Sequence, residues 1–357
     1  MNVTFVSLEW PNLEHVGGVG RYAYRLAESL RSRVDLSVIT FEGGAALPGV
    51  QMHYIPRPRG RLSRFYGAPF RVRRAVAQTN PHVIHSFGDD WAISPRKRAP
   101  LVRTFHGSAL SEARSSSGLR KLNHLILAAT EMLSARRATL KIAVGPESAG
   151  AFQCDRLMPP VTAVRPLSSV AKTDHPSVVF IGAFAGRKRG FMVEQAVAAA
   201  SSYLDVPVSL TVFGPVSDAA SWSPTTTHRA DASDKDVQAT IRASWVLMAP
   251  SLYEGFGIPT FEALALETLV IASSNPGSNY IRGLMNQDSP LAIVADADLE
   301  KSLADRLAMG SAMKDEERAT SGAAVESLLR AASADRLVYE VYALLDVPDV
   351  QKGGASQ

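Results

Sequence analysis

The stretch SVVFIGAFAGRKRGFMVEQAVAAASSYLDVPVSLTVFG (Ser177–Gly214) carries the fold in miniature. It opens on the apolar, β-branched run "SVVFIG", turns through glycines, enters a helical pattern over Gly190–Tyr203 and returns to a second apolar run, "VSLTVFG". Neither run alternates apolar with polar residues. Each therefore predicts a strand buried on both faces, the situation of parallel sheets covered by helices.

The same alternation runs outward in both directions. In the first half "NVTFVSL", "DLSVIT", "VQMHYI", "HVIHS", "LVRTF" and "LKIAV" read as strands; in the second, "WVLMAP", "LVIAS" and "LAIV" follow the two already quoted. Candidate helices lie between them at Val19–Arg31, Leu119–Arg137, Asp234–Ala243 and Leu299–Met309. The pattern breaks at Arg156–Pro176, a proline- and serine-rich piece that reads as a linker. The fold class is therefore α/β: two doubly wound, Rossmann-like parallel-sheet domains facing across a cleft. The expected boundaries are 1–160 for the first domain, 161–171 for the linker, 172–334 for the second domain, and 335–357 for an amphipathic helix ("ADRLVYEVYALLD") and tail.

Composition narrows the function classes. The 357 residues are 46% hydrophobic and 20% charged, which is globular, and a formal charge of +4 does not by itself imply nucleic acid. A single cysteine, Cys154, excludes an internal disulfide framework and a multi-cysteine metal site. The opening "MNVTFVSLEW" has no secretory pattern and no segment reaches the roughly 20 apolar residues of a membrane span, so a cytoplasmic protein is expected.

Ligands of open parallel sheets sit beyond the carboxyl ends of the strands, and the motifs fall there. "HVGGVGRYAYRLAESL" (His15–Leu30) follows the first strand; Gly17, Gly18 and Gly20 allow a tight turn, and the helix start that follows can seat a phosphate. An ordinary glycine turn is the competing reading. The spacing is not the dinucleotide fingerprint G-x-G-x-x-G, and no acidic residue ends "DLSVIT". "RTFHGSAL" puts His106 after the fifth strand, as a hydroxyl-binding group or a core histidine. Arg187, Lys188 and Arg189 crowd the glycine-flanked turn of the second half, a cluster suited to a diphosphate, against the common alternative of a solvated charge run.

"SLYEGFGIPTFEAL" (Ser251–Leu264) places Glu254 and Glu262 around a turn whose amides, Gly255, Phe256 and Gly257, favour an anion. Ionised carboxylates only accept hydrogen bonds, so both acids need donors. A nucleotide sugar supplies vicinal hydroxyls at each end and charge between them. Pro259 suits the first turn of the helix that carries Glu262.

The string "EGFGIPTFEAL" followed by "VIASSNPGS" resembles the glutamate-pair motif of retaining GT-B glycosyltransferases of the family-four, group 1 type. "GGVG", "TFHG" and "GRKRG" fall where that family keeps its corresponding motifs, and the resemblance covers nearly the whole chain. It implies a metal-independent transferase without a cofactor, using a UDP-, GDP- or other nucleotide-diphosphate sugar donor and a hydroxyl-bearing acceptor such as a glycan, glycolipid or natural product. Glu262 would hold the ribose hydroxyls and Glu254 a donor-sugar hydroxyl. Gly255, Phe256 and Gly257 would line the donor, Lys188 would stabilise the leaving diphosphate, His106 would touch the donor sugar, and Gly18 would sit beside phosphate or acceptor. Three departures stand out: Ala183 replaces the family's arginine, with Arg187 a candidate substitute; Glu267 and Leu269 replace a glycine and a proline; Tyr280 replaces a glutamate.

Arg57–Val76 is rich in arginine, lacks acids and interleaves Phe65, Tyr66 and Phe70. Arg71, Arg73 and Arg74 suit an anionic acceptor or an acidic membrane surface, with a solvated helix face as the alternative and nucleic acid a distant third. Two other classes compete with the transferase: a nicotinamide-dependent oxidoreductase, and a catalytically weak nucleotide-sugar-binding protein of the same fold.

Overall fold

The computed structural model describes residues 1–12, 18–60, 62–94, 99–114, 118–160, 169–285, 289–311, 313–331 and 333–345. Gly17, most of the expected linker and the tail beyond 345 lie outside them. The chain divides into two compact units, Met1–Thr162 with Leu329–Gln357, and Ala163–Leu328.

The first unit contains β1 (Asn2–Val6), α1 (Gly18–Leu30), β2 (Asp35–Phe41), β3 (Gln51–Ile55), α2 (Ala68–Thr79), β4 (Val83–Ser86), β5 (Leu101–Phe105), α3 (Ala109–Arg114), α4 (Gly118–Arg137), β6 (Leu140–Ala143), α5 (Pro146–Phe152) and β7 (Arg156–Leu157). Its seven strands are all parallel in the order β3-β2-β1-β4-β5-β6-β7. Strands buried on both faces explain the continuous apolar runs. Val3 and Phe5 pack with Ala23, Leu26 and Leu30 of α1 on one face, while Val6, Ile39 and Ile84 meet Val72 and Val76 of α2 on the other.

All the strands read from sequence form. The expected helix at Val19–Arg31 forms as Gly18–Leu30, and Leu119–Arg137 starts one residue earlier, shifts within the usual fraying of helix ends. β2 extends to Phe41, which places Glu42 at its end. The reading that no acidic residue ends the second strand is therefore corrected; only the glycine spacing argued against a dinucleotide site. Among the three glycines of "GGVG", close approach is required at Gly20, where a Cβ would stand 1.7 Å from the Glu9 carbonyl oxygen, whereas Gly18 has open space.

The C-terminal segment belongs to the first unit. A turn of helix, α12 (Ala334–Arg336), continues in wider and then tighter turns to Leu345, and Leu337, Val341 and Tyr342 enter the core of α1 and β1. The Tyr342 hydroxyl meets His85 Nδ1 at 2.6 Å, and His85 Nε2 meets Thr104 Oγ1 at 2.7 Å. Burial, aided by His106 and Arg103, pushes the His85 imidazole down to about 3, so it is a neutral link between two hydroxyls.

The second unit contains β8 (Ser177–Ile181), α6 (Gly190–Leu204), β9 (Ser209–Phe213), β10 (Thr227–Arg229), α7 (Asp234–Ala243), β11 (Val246–Ala249), α8 (Ile258–Ala265), β12 (Leu269–Ser273), α9 (Pro276–Gly283), β13 (Leu291–Val294), α10 (Leu299–Ala308) and most of α11 (Asp315–Ala331). Its six strands are parallel in the order β10-β9-β8-β11-β12-β13. One face carries α6 and α10 over Val178, Phe180 and Ile271; the other carries α7 and α8 over Val179, Leu247 and Val270. Both units are thus doubly wound α/β layers.

Replacing Tyr342 by Phe leaves His85 Nδ1 buried without its partner. The substitution is expected to destabilise the first unit by about 1–3 kcal/mol in urea denaturation, with tryptophan fluorescence of Trp10 as a local probe.

Candidate functional site

Strand order reverses between β8 and β11: the chain leaves β8 toward β9 on one side and β11 toward β12 on the other. Loops at such a reversal diverge beyond the carboxyl ends and leave room for a ligand. The two loops here are Gly182–Arg189 and Pro250–Gly257, the cationic turn and the glutamate turn.

The first is shaped by where side chains can lie. Gly186, at φ +71°, starts a tight turn that ends at Lys188, and the Lys188 stem rests on Gly182, where a Cβ would come within 2.9 Å of Lys188 Cγ. Arg189 then adopts φ +55° before α6 begins, with Gly190 packed under the Trp222 ring. The second loop is fixed by α9. Asn275 Nδ2 donates to Ser251 O (3.1 Å) and Gly277 N to Glu254 O (2.9 Å); a Cβ on Gly277 would be 2.5 Å from Phe256 O. Backbone and side chain join the loops to each other: Leu252 N donates to Arg187 O at 2.9 Å, and Arg187 Nη1 to Tyr253 O at 2.8 Å.

The loops bring Lys188 and Glu254 into a direct ion pair through Nζ and Oε1, with Arg187 Nη1 3.4 Å from Oε2. Burial alone would push the Glu254 carboxyl up; Lys188 and Arg187, with hydrogen bonds from Lys188 and Ser251, outweigh it and hold the group below its ordinary value. Lys188, Ser251, Glu254, Gly257 and Thr260 line a small pocket floored by Ile181. Gly257 takes φ +88° as the N-cap of α8, Pro259 sits in the first turn, and Glu262 lies one turn in, 5% exposed. The Phe256 side chain is core, packed near Phe261 and Tyr280, so only its backbone can face a ligand. No hydrogen bond among the described residues uses the amides of Gly255, Phe256 or Gly257.

Arg189 requires a correction. The cluster of three cations expected for an anion reduces to two, because Arg189 is 8% exposed and its guanidinium is bonded to Pro250 O, Ser273 Oγ and the Asp296 carboxylate. Arg187, half exposed, stands beside Glu254 despite the alanine at 183. Glu267, where the related motif has glycine, takes φ +53° and secures itself through Arg242 (3.1 Å) and Arg318 (3.7 Å).

His106, Gly18, Arg71, Arg73 and Arg74 belong to the first unit. His106 follows β5, its ring edge-on to Tyr22 at 4.7 Å. Burial, with Arg103 adding, pushes it down to about 3, so it is neutral, and its buried Nε2 has no partner among the described residues. Gly18 opens α1. On α2, Arg73 and Arg74 are exposed, while Arg71 Nη1 is tied to Pro56 O at 3.1 Å.

The sequence matches the model of Glycosyltransferase Family 4 over residues 16–166 and that of Glycosyl transferases group 1 over 175–309. The chain belongs to these glycosyltransferases, and its fold is GT-B. Similar solved structures include sucrose-phosphate synthase from Thermosynechococcus elongatus (16% identity, TM-score 0.74, covering 96% of this chain and 98% of that one). WaaG, a glycosyltransferase of lipopolysaccharide biosynthesis, gives 16%, 0.72, 95% and 99%. Anabaena HepE in complex with UDP and glucose gives 15%, 0.71, 96% and 99%. No curated protein sequence matches the chain.

The Lys188–Glu254 pair has a testable pH signature. A carboxyl held below its ordinary 4.5 in the folded state contributes stability that is complete above that value and is lost as pH falls through the lowered one. Lys188→Gln is expected to cost about 2 kcal/mol at neutral pH, less than a fully buried pair because both side chains are partly exposed. Urea titrations should show the gap between variant and parent narrowing as pH falls below 4.5 and through the lowered value of Glu254.

Proposed function

We propose that this chain is a retaining, metal-independent glycosyltransferase that moves a sugar from a nucleoside-diphosphate sugar to an acceptor hydroxyl. The observation that carries this reading is the Lys188–Glu254 contact at the strand-order reversal. It holds, at one point, a cation for a diphosphate and a carboxylate for a sugar hydroxyl, beside a glycine turn with uncommitted amides. Glu262, buried a turn into α8, is the acid for the ribose. Solved neighbours crystallised with UDP, with UDP-glucose and with ADP and acarbose support a nucleotide donor.

The chemical difficulty is departure of the nucleoside diphosphate as positive charge grows on the sugar ring. Fixed donors aimed at the developing negative charge lower that barrier, and Lys188 with Arg187 supplies them where other enzymes use a divalent metal. Loss of one such donor in other enzymes costs a factor of about 10²–10³ in kcat. The departing phosphate takes the acceptor proton on the face it leaves, so anomeric configuration is retained. Neutral His106 acts as a hydrogen-bond partner for a hydroxyl through the nitrogen that has no partner within its unit.

The acceptor side of the reading rests on the first unit. Along α4 the exposed residues Leu122, Leu125, Ile126, Ala129, Met132 and Leu133 form one stripe, with exposed Lys121 and Arg136 at its ends and no acid on it. Trp91 joins this helix to α2: Arg137 bonds its carbonyl, and exposed Phe70 lies edge-on to its ring at 5.3 Å. Apolar stripe, Phe70, Arg73 and Arg74 together suit an acidic lipid surface at the inner face of a membrane, on which a lipid-borne acceptor would be met. No helix among the described residues is long and apolar enough to cross a membrane.

Glu262→Ala is expected to weaken binding of a nucleoside diphosphate (UDP, GDP and ADP tried in turn by calorimetry), and Lys188→Ala to lower turnover by about 10²-fold with a smaller change in KM. Equal, negligible effects of both changes would reject the assignment, and an inverted product anomer by NMR would reject retention. Flotation with phosphatidylglycerol but not phosphatidylcholine vesicles, abolished in Leu125→Asp/Ile126→Asp, supports the membrane surface. A dimer dissolved by the same pair of substitutions, without vesicle binding, would assign the stripe to a second copy of the chain instead.

A further inference from the structure

Arg189 is a side-chain-bearing residue in the left-handed backbone region, which is unfavourable to L-residues. It is also a cation buried to 8% exposure, next to Lys188, which lines the pocket, and to half-exposed Arg187. Neither feature serves the ligand directly. Its guanidinium instead reaches the ends of three other strands. Nε donates to Pro250 O at 2.6 Å, beyond β11; Nη2 donates to Ser273 Oγ at 3.0 Å, the last residue of β12; Nη1 and Nη2 grip the two oxygens of Asp296, just beyond β13. Ser273 Oγ closes the ring by donating to Asp296 Oδ1 at 2.8 Å. Four N–H donations saturate most of the fork, and the two-point grip fixes its plane.

We propose that Arg189 and Asp296 are a positioning pair that locks the ends of β8, β11, β12 and β13 into one rigid rim and so sets the spacing of Lys188 from Glu254. The left-handed turn is what makes this possible. It sends the Arg189 side chain to Pro250, Ser273 and Asp296 while its neighbours Arg187 and Lys188 stay beside Glu254. Pro250, the carbonyl that Arg189 holds, directly precedes Ser251, whose hydroxyl bonds the Glu254 carboxylate and whose carbonyl is held by Asn275. A shift at Pro250 therefore reaches Glu254 through one residue. A glycine at 189 would remove the backbone cost and the rim together, so the conformational cost is offset only by the fork. The hydrogen bonds from Arg189 and Ser273 also hold the Asp296 carboxyl ionised, below its ordinary value, which keeps the grip charged.

The function of the rim rests on the donor reading above, but its existence does not, and the test separates them. Hydrogen exchange followed by mass spectrometry on the whole chain needs no ligand. In Arg189→Gly and in Asp296→Asn, segments 183–189 and 250–257 are expected to exchange about tenfold faster, with β8 and β12 unchanged. UDP, GDP and ADP are then titrated calorimetrically into parent and variants. Affinity for whichever nucleotide the parent binds should fall about tenfold in each single variant and little further in the double variant, as coupled residues require. Asp296→Glu, which keeps the charge, should recover part of both losses. Unchanged local exchange in folded Arg189→Gly overturns the proposal. So does a uniform rise in exchange across the unit, which is the mark of a merely structural residue. Faster local exchange in a protein whose parent binds none of these three nucleotides, nor CDP or dTDP, keeps the rim and removes the donor reading instead.

Discussion

The adjacency of β8 and β11, with their crossovers leading to opposite sides, is the constraint from which the site follows. Two loops separated by more than sixty residues of sequence meet because parallel pairing aligns Val178 with Val246 and Phe180 with Met248. That register delivers Lys188 and Glu254 to the same height above the sheet. The Lys188–Glu254 ion pair, the Leu252–Arg187 backbone bond and the Arg187–Tyr253 bond are consequences of it. No isolated loop could hold a cation and a carboxylate of this burial together, since each needs the other to offset its loss of water.

The unit also shows how left-handed backbone, which favours glycine, is held by bulkier residues. At 189 and at 267 the backbone is left-handed and carries a charged side chain rather than a hydrogen. In both places the side chain is anchored: Arg189 by Asp296, Pro250 and Ser273, and Glu267 by Arg242 and Arg318. The local cost is recovered through partners that lie far away in sequence, and those partners would be invisible to any reading of the motif alone. Tyr280, in place of a glutamate, is absorbed differently. It packs at 6.3 Å from Phe256 and extends the apolar layer behind the glutamate turn.

Much of the architecture was legible because strands buried on both faces must be apolar throughout. The runs at "SVVFIG" and "LVIAS" could hardly be anything else, and the long periodic helices fell within a residue or two of their observed bounds. What escaped was mostly short, with the 12-residue α2 and the 17-residue α11 as the longer exceptions. The edge strands Arg156–Leu157 and Thr227–Arg229 are two and three residues long and carry little apolar pattern. α2 was read mainly as a basic stretch, since only Val72, Ala75, Val76 and their neighbours face the core. At the site, residue types and turn chemistry pointed to Lys188, Glu254 and Glu262. The sequence offered no sign that Arg189 turns away from its two neighbours, because that depends on Asp296, brought near only by the sheet. Glu42 was missed as a strand-end acid because the run was cut at Thr40, one residue short of the last ladder partner.

The Tyr342–His85–Thr104 chain has a consequence for how the protein is made. The first unit's core lacks Leu337, Val341 and Tyr342 until residues 334–345 have left the ribosome, whereas every strand of the second unit has been synthesised by Val294. The amino-terminal half must wait, its α1–β1 groove open, while the half made later finishes first. Order of synthesis and order of completion are reversed, and the nascent chain carries an unfilled apolar groove through most of its translation.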